Sequence, residues 1–156
     1  AEDGIRDDLV TGVQTCALPI FKAVDRSDLG SHVAADSAGT HGYHVGQSPD
    51  ARAVETARKF DVDISQLRAR KVRTSDFDDY DLIIAMDHDN FENLRRIQPP
   101  GSKAELKMMM DYHPDEQPRE VPDPYYGGMD GFNYMCELLE TATDNLLRDI
   151  DLGLNR

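Results

Sequence analysis

The chain has 156 residues, 39% of them hydrophobic and 30% charged, which suits one globular domain with one core rather than a disordered segment. A net charge of −13 excludes the clustered Lys and Arg footprint of a nucleic-acid binder and disfavours an acidic membrane surface, so an anionic substrate needs a local positive site against this field. Two cysteines, Cys16 and Cys136, are too few for a disulfide scaffold. No apolar run reaches the roughly 18 residues of a membrane span, and the start lacks signal-peptide character, so a cytoplasmic location is expected.

In chain order, residues 1–20 come first and read as foreign. Ala1–Asp7 is AEDGIRD and Val10–Ile20 is VTGVQTCALPI. Both strings are what the constant parts of a common sequencing-library adapter encode in one frame. Asp8 and Leu9 stand between them, the size of a short sample index. The segment is therefore expected to carry no selected function, and the C-x5-K spacing from Cys16 to Lys22 is not read as a phosphate loop. Residues 21–156 form the second division, a truncated domain. Leu9, Val10 and Val13 are apolar enough that some of Leu9 to Cys16 is expected to be drawn into a vacant central strand position.

The remainder alternates short apolar runs with amphipathic stretches, the pattern of an α/β fold. Phe21 to Arg26 reads as the tail of a helix, and a strand is expected near 32–36. Ser48-Pro49-Asp50 is a helix start, with Ser at the cap and Pro at the first position, predicting a helix near 49–60. Leu82-Ile83-Ile84-Ala85-Met86 is a continuous apolar run, the signature of a strand buried on both faces, placed at 81–86. Asp87 is a plausible cap for a helix over 88–97 that Pro99-Pro100 ends. A last strand is expected at 106–110. Phe132, Cys136, Leu139, Leu146 and Ile150 fall on one face of a long helix near 129–150. Between them, 111–128 holds four prolines and two glycines and reads as loop.

In open parallel sheets, ligands bind beyond the carboxyl ends of strands. Three segments qualify: Asp36-Ser37-Ala38-Gly39-Thr40, Met86-Asp87, and the loop from Asp111 to Val121-Pro122-Asp123-Pro124-Tyr125-Tyr126-Gly127-Gly128. D-P-Y-Y-G before a long last helix, DSAGT followed by G-Y-x-V-G and S-P-D-x-R, A-R-K before a D-F-x-x-Y-D strand, and M-D-x-x-N occur together in order. That order resembles the low-molecular-weight protein tyrosine phosphatase family over residues 21–151.

The resemblance implies a four-stranded parallel sheet flanked by helices on both faces, with the native first strand central. It implies a thiolate in a C-x5-R loop that attacks phosphorus, an arginine and backbone N–H groups that hold the phosphate oxygens, and an aspartic acid that protonates the leaving phenol and then activates water. The matching acid is Asp123, which alone would read as a turn residue. Tyr125 and Tyr126 match the aromatic pair walling the phenyl slot, Tyr43 an aromatic position facing it, and Ser37 a residue bracing the phosphate loop. Asp87 is a helix cap first and a site neighbour second. His41, His44, His88 and His113 show no metal spacing, so no metal and no cofactor is expected.

The family places C-x-G-N-x-C-R-S-P at the end of its first strand, where this chain has the foreign segment. The chain contains no C-x5-R, so its nucleophile and phosphate-binding arginine are missing and it is expected to be inactive as written. Cys136 reads as core. The expected function is a phosphotyrosine phosphatase acting on phosphotyrosine proteins or small aryl phosphates. The alternatives are an arsenate reductase of the same fold, disfavoured by the retained Tyr pair and the scarcity of cysteine, and a non-catalytic phosphatase-like binding module.

Overall fold

The computed structural model describes residues 4–8, 33–39, 55, 58–59, 71–116, 118–122 and 128–154. Its elements in chain order are β1 (Gly4–Asp8), β2 (Ala34–Ala38), a single-turn helix α1 (Asp76–Asp79), β3 (Leu82–Ala85), α2 (His88–Ile97), β4 (Glu105–Met108), a 3-10 turn (Met109–Tyr112) and α3 (Gly128–Leu154). The strands form one sheet in the order β2-β1-β3-β4, with every pairing parallel.

β3 organises this sheet. Its apolar run, LIIA, alternates between two cores. Ile84 and the following Met86 join one core with Met109, Met110, Val121 and the inner face of α3. Ile83 and Ala85 join another with Phe77 of α1, Leu94 of α2, Val72 and Met108. Both isoleucines are fully buried, as expected of a strand covered on both sides. A side chain of this size contributes roughly 1.5–3 kcal/mol on burial.

The helices follow from the sequence locally. α2 starts where the Asp87 carboxylate accepts the Asn90 N–H at 2.8 Å, a side-chain cap on an orphan donor. It ends as Gln98 N–H reaches Leu94 O, after which Ser102 N–H closes a turn on Pro99 O. Gly101 there has φ +74°, the third position of a type II turn, which Gly adopts without steric cost. α3 buries Met135, Cys136, Leu138, Leu139, Ala142, Leu146 and Leu147, the three-and-four spacing of an amphipathic helix. The Asn145 side-chain amide donates to Tyr112 O at 2.8 Å and fastens α3 to the 3-10 turn.

Several boundaries differ from the sequence expectations. β2 lies two residues later than 32–36, so Ser37 and Ala38 are within the strand rather than beyond it, as is Asp36. The polar character of Asp36 and Ser37 hides a strand whose ladder is made by backbone groups of β1. The strand expected at 106–110 stops at Met108 because the Asp111 carboxylate takes the Met108 N–H at 3.1 Å and turns the chain. The D-F-x-x-Y-D motif is no strand: it contains α1, nucleated where the Asp76 carboxylate accepts the Arg73 N–H at 2.8 Å. The central position is taken by Gly4–Asp8 rather than by part of Leu9 to Cys16. That choice leaves residues 9–33 for the crossover to β2, and a parallel crossover needs a dozen or more residues. Leu9 to Cys16 and Phe21 to Arg26 lie outside the described residues. So does most of 49–60, of which residues 55, 58 and 59 are helical.

Ile84→Ala should lower unfolding free energy by about 2–5 kcal/mol, whereas Tyr134→Ala, on the exposed side of α3, should change it by less than about 0.5 kcal/mol. Urea denaturation of the two variants checks this contrast.

Candidate functional site

The parallel register brings the strand ends to one edge. Asp8 stands beside Ala38 of β2 and Ala85 of β3, and Ala85 stands beside Met108 of β4. Beyond this edge the chain continues as Leu9 after β1, Gly39 after β2, Met86-Asp87 after β3 and the 3-10 turn after β4. Gly39 is held in place by a bridge to Lys71 and by the Val72 N–H on its carbonyl, 2.9 Å. The loop before D-P-Y-Y-G returns to the same edge, where Val121 N–H donates to Met86 O at 2.9 Å. Three segments distant in sequence thus meet at the carboxyl end of β3.

Asp87 sits at the centre of this meeting point. Half-buried, its carboxyl is pushed above the ordinary aspartate range, first by loss of solvent. The Asn90 N–H bond opposes that shift, and the neighbouring Glu120 and Asp89 carboxylates add to it. Glu120 approaches because one of its carboxylate oxygens accepts the His88 backbone N–H at 2.8 Å. The N-terminus of α2 therefore receives two carboxylates, each on an orphan N–H, where the helix dipole favours negative charge. The cap role expected of Asp87 is what the geometry shows.

Beside this point lies a cleft of about 200 Å³ lined by His88, Met108, Met110, Asp111, His113 and Arg119, among others. His113 Nδ1 accepts the Asp115 N–H at 3.1 Å, and an Asp115 carboxylate oxygen lies 4.0 Å from the same nitrogen. Among the described residues no group of His, Cys, Asp and Glu could hold a metal ion, and no helix is long and apolar enough to cross a membrane.

Of the residues singled out from the sequence, Ser37 is placed in β2, paired with Asp7 of β1. Asp123, Tyr125, Tyr126 and Tyr43 lie outside the described residues, as do His41 and His44. Cys136 is buried in the α3 core. Burial, with the nearby Glu140 carboxylate, pushes its thiol up to about 11, so it is not a thiolate nucleophile at neutral pH. Glu120 was invisible to motif reading: nothing in the string R-E-V-P announces a bond to a backbone N–H 32 residues earlier.

Residues 15–154 match the sequence model of the family described as low molecular weight phosphotyrosine protein phosphatase. The match begins six residues ahead of Phe21, inside the segment read as foreign. A Synechocystis sp. relative named as a low molecular weight protein-tyrosine-phosphatase is 45% identical over 128 residues, 81% of each chain. The low molecular weight phosphotyrosine protein phosphatase of Schizosaccharomyces pombe is 37% identical over 141 residues, 86% of this chain and 90% of that one. In three dimensions, a protein tyrosine phosphatase from Entamoeba histolytica superposes with a TM-score of 0.84 at 32% identity, covering 98% of this chain and 99% of that one.

The raised Asp87 pKa has a definite sign. Below the ordinary value, about 3.9, the carboxyl is neutral folded and unfolded and its contribution is fully present. As pH rises through the higher folded value, ionisation in a desolvated place removes part of that stability. Asp87→Asn, which keeps a capping acceptor, should abolish this loss, so its stability relative to the parent should grow across that window. Asp87→Ala should cost about 1 kcal/mol below that window, where the cap is lost, and, lacking the carboxyl, should recover part of that cost relative to the parent as pH rises through it. Urea midpoints measured against pH for the three proteins test the sign.

Proposed function

The chain belongs to the low molecular weight phosphotyrosine protein phosphatase family, and from that premise we propose that its domain is built for phosphotyrosine hydrolysis through a cysteinyl-phosphate intermediate, with Asp123 as the acid. The family's activity is that of a hydrolase. In the reaction a thiolate attacks phosphorus, the S–P bond forms as the aryl O–P bond breaks, and Asp123 gives its proton to the leaving oxygen. Water then attacks phosphorus, the S–P bond breaks, and the Asp123 carboxylate takes the proton of the water. Tyr125 and Tyr126, with Tyr43 opposite, supply aromatic walls for the phenyl ring, and Ser37 braces the loop that holds phosphate. No metal and no cofactor takes part.

The observation that carries this reading is the return of the Val121 end of the loop to the carboxyl end of β3, beside β1. Asp123 comes two residues later in the sequence, and the reading requires it to reach the edge where a nucleophile at the end of the central strand would stand. In this chain that strand reads GIRDD and is followed by LVTGVQTCALPI. Residues 1–20 are a foreign segment and 21–156 a truncated phosphatase domain. The chain has no C-x5-R, and Lys22 stands at the arginine spacing from Cys16. Without thiolate and guanidinium, covalent catalysis is lost altogether, and the chain as written is inactive. The proposed location is cytoplasmic, and the substrate a phosphotyrosine protein or small aryl phosphate. An arsenate reductase would need further cysteines to resolve its intermediates, and outside residues 1–20 only Cys136 is present.

Purified chain should not hydrolyse p-nitrophenyl phosphate. Replacing the segment before Phe21 with a strand ending in C-x-G-N-x-C-R-S-P should restore turnover. In that restored chain Asp123→Asn should slow phenyl phosphate cleavage by roughly 10²–10⁴-fold, the share of a general acid, and slow esters of more acidic phenols less. Steady-state rates across a leaving-group series provide the check. Turnover by the unrestored chain, or an equal loss across the series, would refute the respective claim.

A further inference from the structure

Glu120 belongs to none of the motifs that carry the resemblance, yet it and its neighbour grip the carboxyl end of β3 from two directions. A Glu120 carboxylate oxygen accepts the His88 N–H at 2.8 Å. Val121 donates its own N–H to Met86 O at 2.9 Å. The two bonds land on either side of Asp87, whose carboxylate is already committed to Asn90. One bond alone would leave the loop a pivot; two consecutive anchors fix its direction as well as its position.

The chain just beyond the anchors is stiff. Pro122 has its φ locked near −65° and disfavours helical backbone at Val121. Two residues reach at most about 7 Å, so the place where Val121 is pinned bounds where Asp123 can be. The Glu120–His88 bond is charge-assisted and lies at a helix N-terminus, where a carboxylate is favoured. Glu120 is exposed and belongs to neither described core, so its replacement opens no cavity that would unfold the domain.

We infer that Glu120 is a positioning residue for the acid-bearing segment, aiming it from the first turn of α2. The inference rests on the reading of Asp123 as general acid. Glu120 meets no substrate; it acts through the backbone it holds.

The first test uses the full chain as it stands. Amide hydrogen exchange is followed at His88 and Val121 in the parent, Glu120→Ala and Glu120→Gln, with Val72 N–H on Gly39 O as the reference. Glu120→Ala should lower protection at both sites at least about 10-fold, a local opening, while Val72 is unchanged. Glu120→Gln, whose amide oxygen accepts the same bond, should retain most of the protection. Unchanged protection in Glu120→Ala overturns the inference. The second test uses the chain with the C-x-G-N-x-C-R-S-P start restored. There Glu120→Ala should lower kcat for phenyl phosphate by about 10–10²-fold, the cost of an ångström-scale misplacement. It should leave KM and inhibition by inorganic phosphate within about 2-fold, lose less with more acidic leaving groups, and be rescued by Glu120→Gln. An unchanged kcat, or a loss of phosphate binding equal to the loss of rate, sinks the positioning role. Absence of all turnover in the restored chain counts against the phosphatase reading instead, and the exchange comparison then decides for or against Glu120.

Discussion

Backbone ladders on both sides of β3 hold the carboxyl edge in register, and the rest of the molecule is arranged around that fact. With β1 on one side and β4 on the other, β3 has its polar backbone groups satisfied within the sheet, which lets its side chains be wholly apolar. Those side chains then divide between two cores: Ile84 and Met86 meet α3, while Ile83 and Ala85 meet α1 and α2. Were β3 shifted by one residue, both cores would exchange partners at once, since side-chain direction alternates along a strand. The meeting of Met86, Asp87 and the returning loop is a consequence of that register.

Where the sequence was transparent, one dominant physical signal had no competitor. LIIA could hardly be anything but a buried strand, and Asp87 followed by helix-forming residues and Pro99-Pro100 marks both ends of α2. The long helix was legible from its apolar spacing, and its observed span, Gly128–Leu154, is only slightly longer than expected. The motif order pointed to the family by itself. Where the sequence was opaque, local side-chain bonds decided the outcome. Asp111 ends β4 one residue before two further methionines that look equally strand-like, and Asp76 nucleates a helical turn within a stretch that reads as extended. Neither effect has a periodicity to reveal it. β1 shows the opposite limit: GIRDD has little strand propensity, and its place follows from the ladder offered by β2 and β3. At the candidate site, the anchor formed by Glu120 was illegible because it joins residues 32 positions apart through a backbone donor.

The N-terminus of α2 shows how an acidic protein can concentrate charge without distributing repulsion. Burial disfavours the ionisation of Asp87, and Glu120 lies close enough to add to that cost. Each nevertheless binds an N–H that would otherwise have no intrahelical partner. Local helix electrostatics thus offset part of a like-charge contact that the net charge of −13 would make unfavourable elsewhere.

The amide of Asn145 on Tyr112 and the carbonyl of Met86 on Val121 enclose the intervening segment like two clamps on a ribbon. Because both ends are fastened to regular structure, the ribbon's length is mechanically uncoupled from the edge it borders. Chain added within it bulges outward, and doubling such a span costs only about 0.6 kcal/mol in closure entropy. The stretch from residue 113 to 119, short of the Glu120 anchor, is therefore where this architecture can vary in length and composition, and so reshape the wall of the cleft, while the sheet edge keeps its geometry.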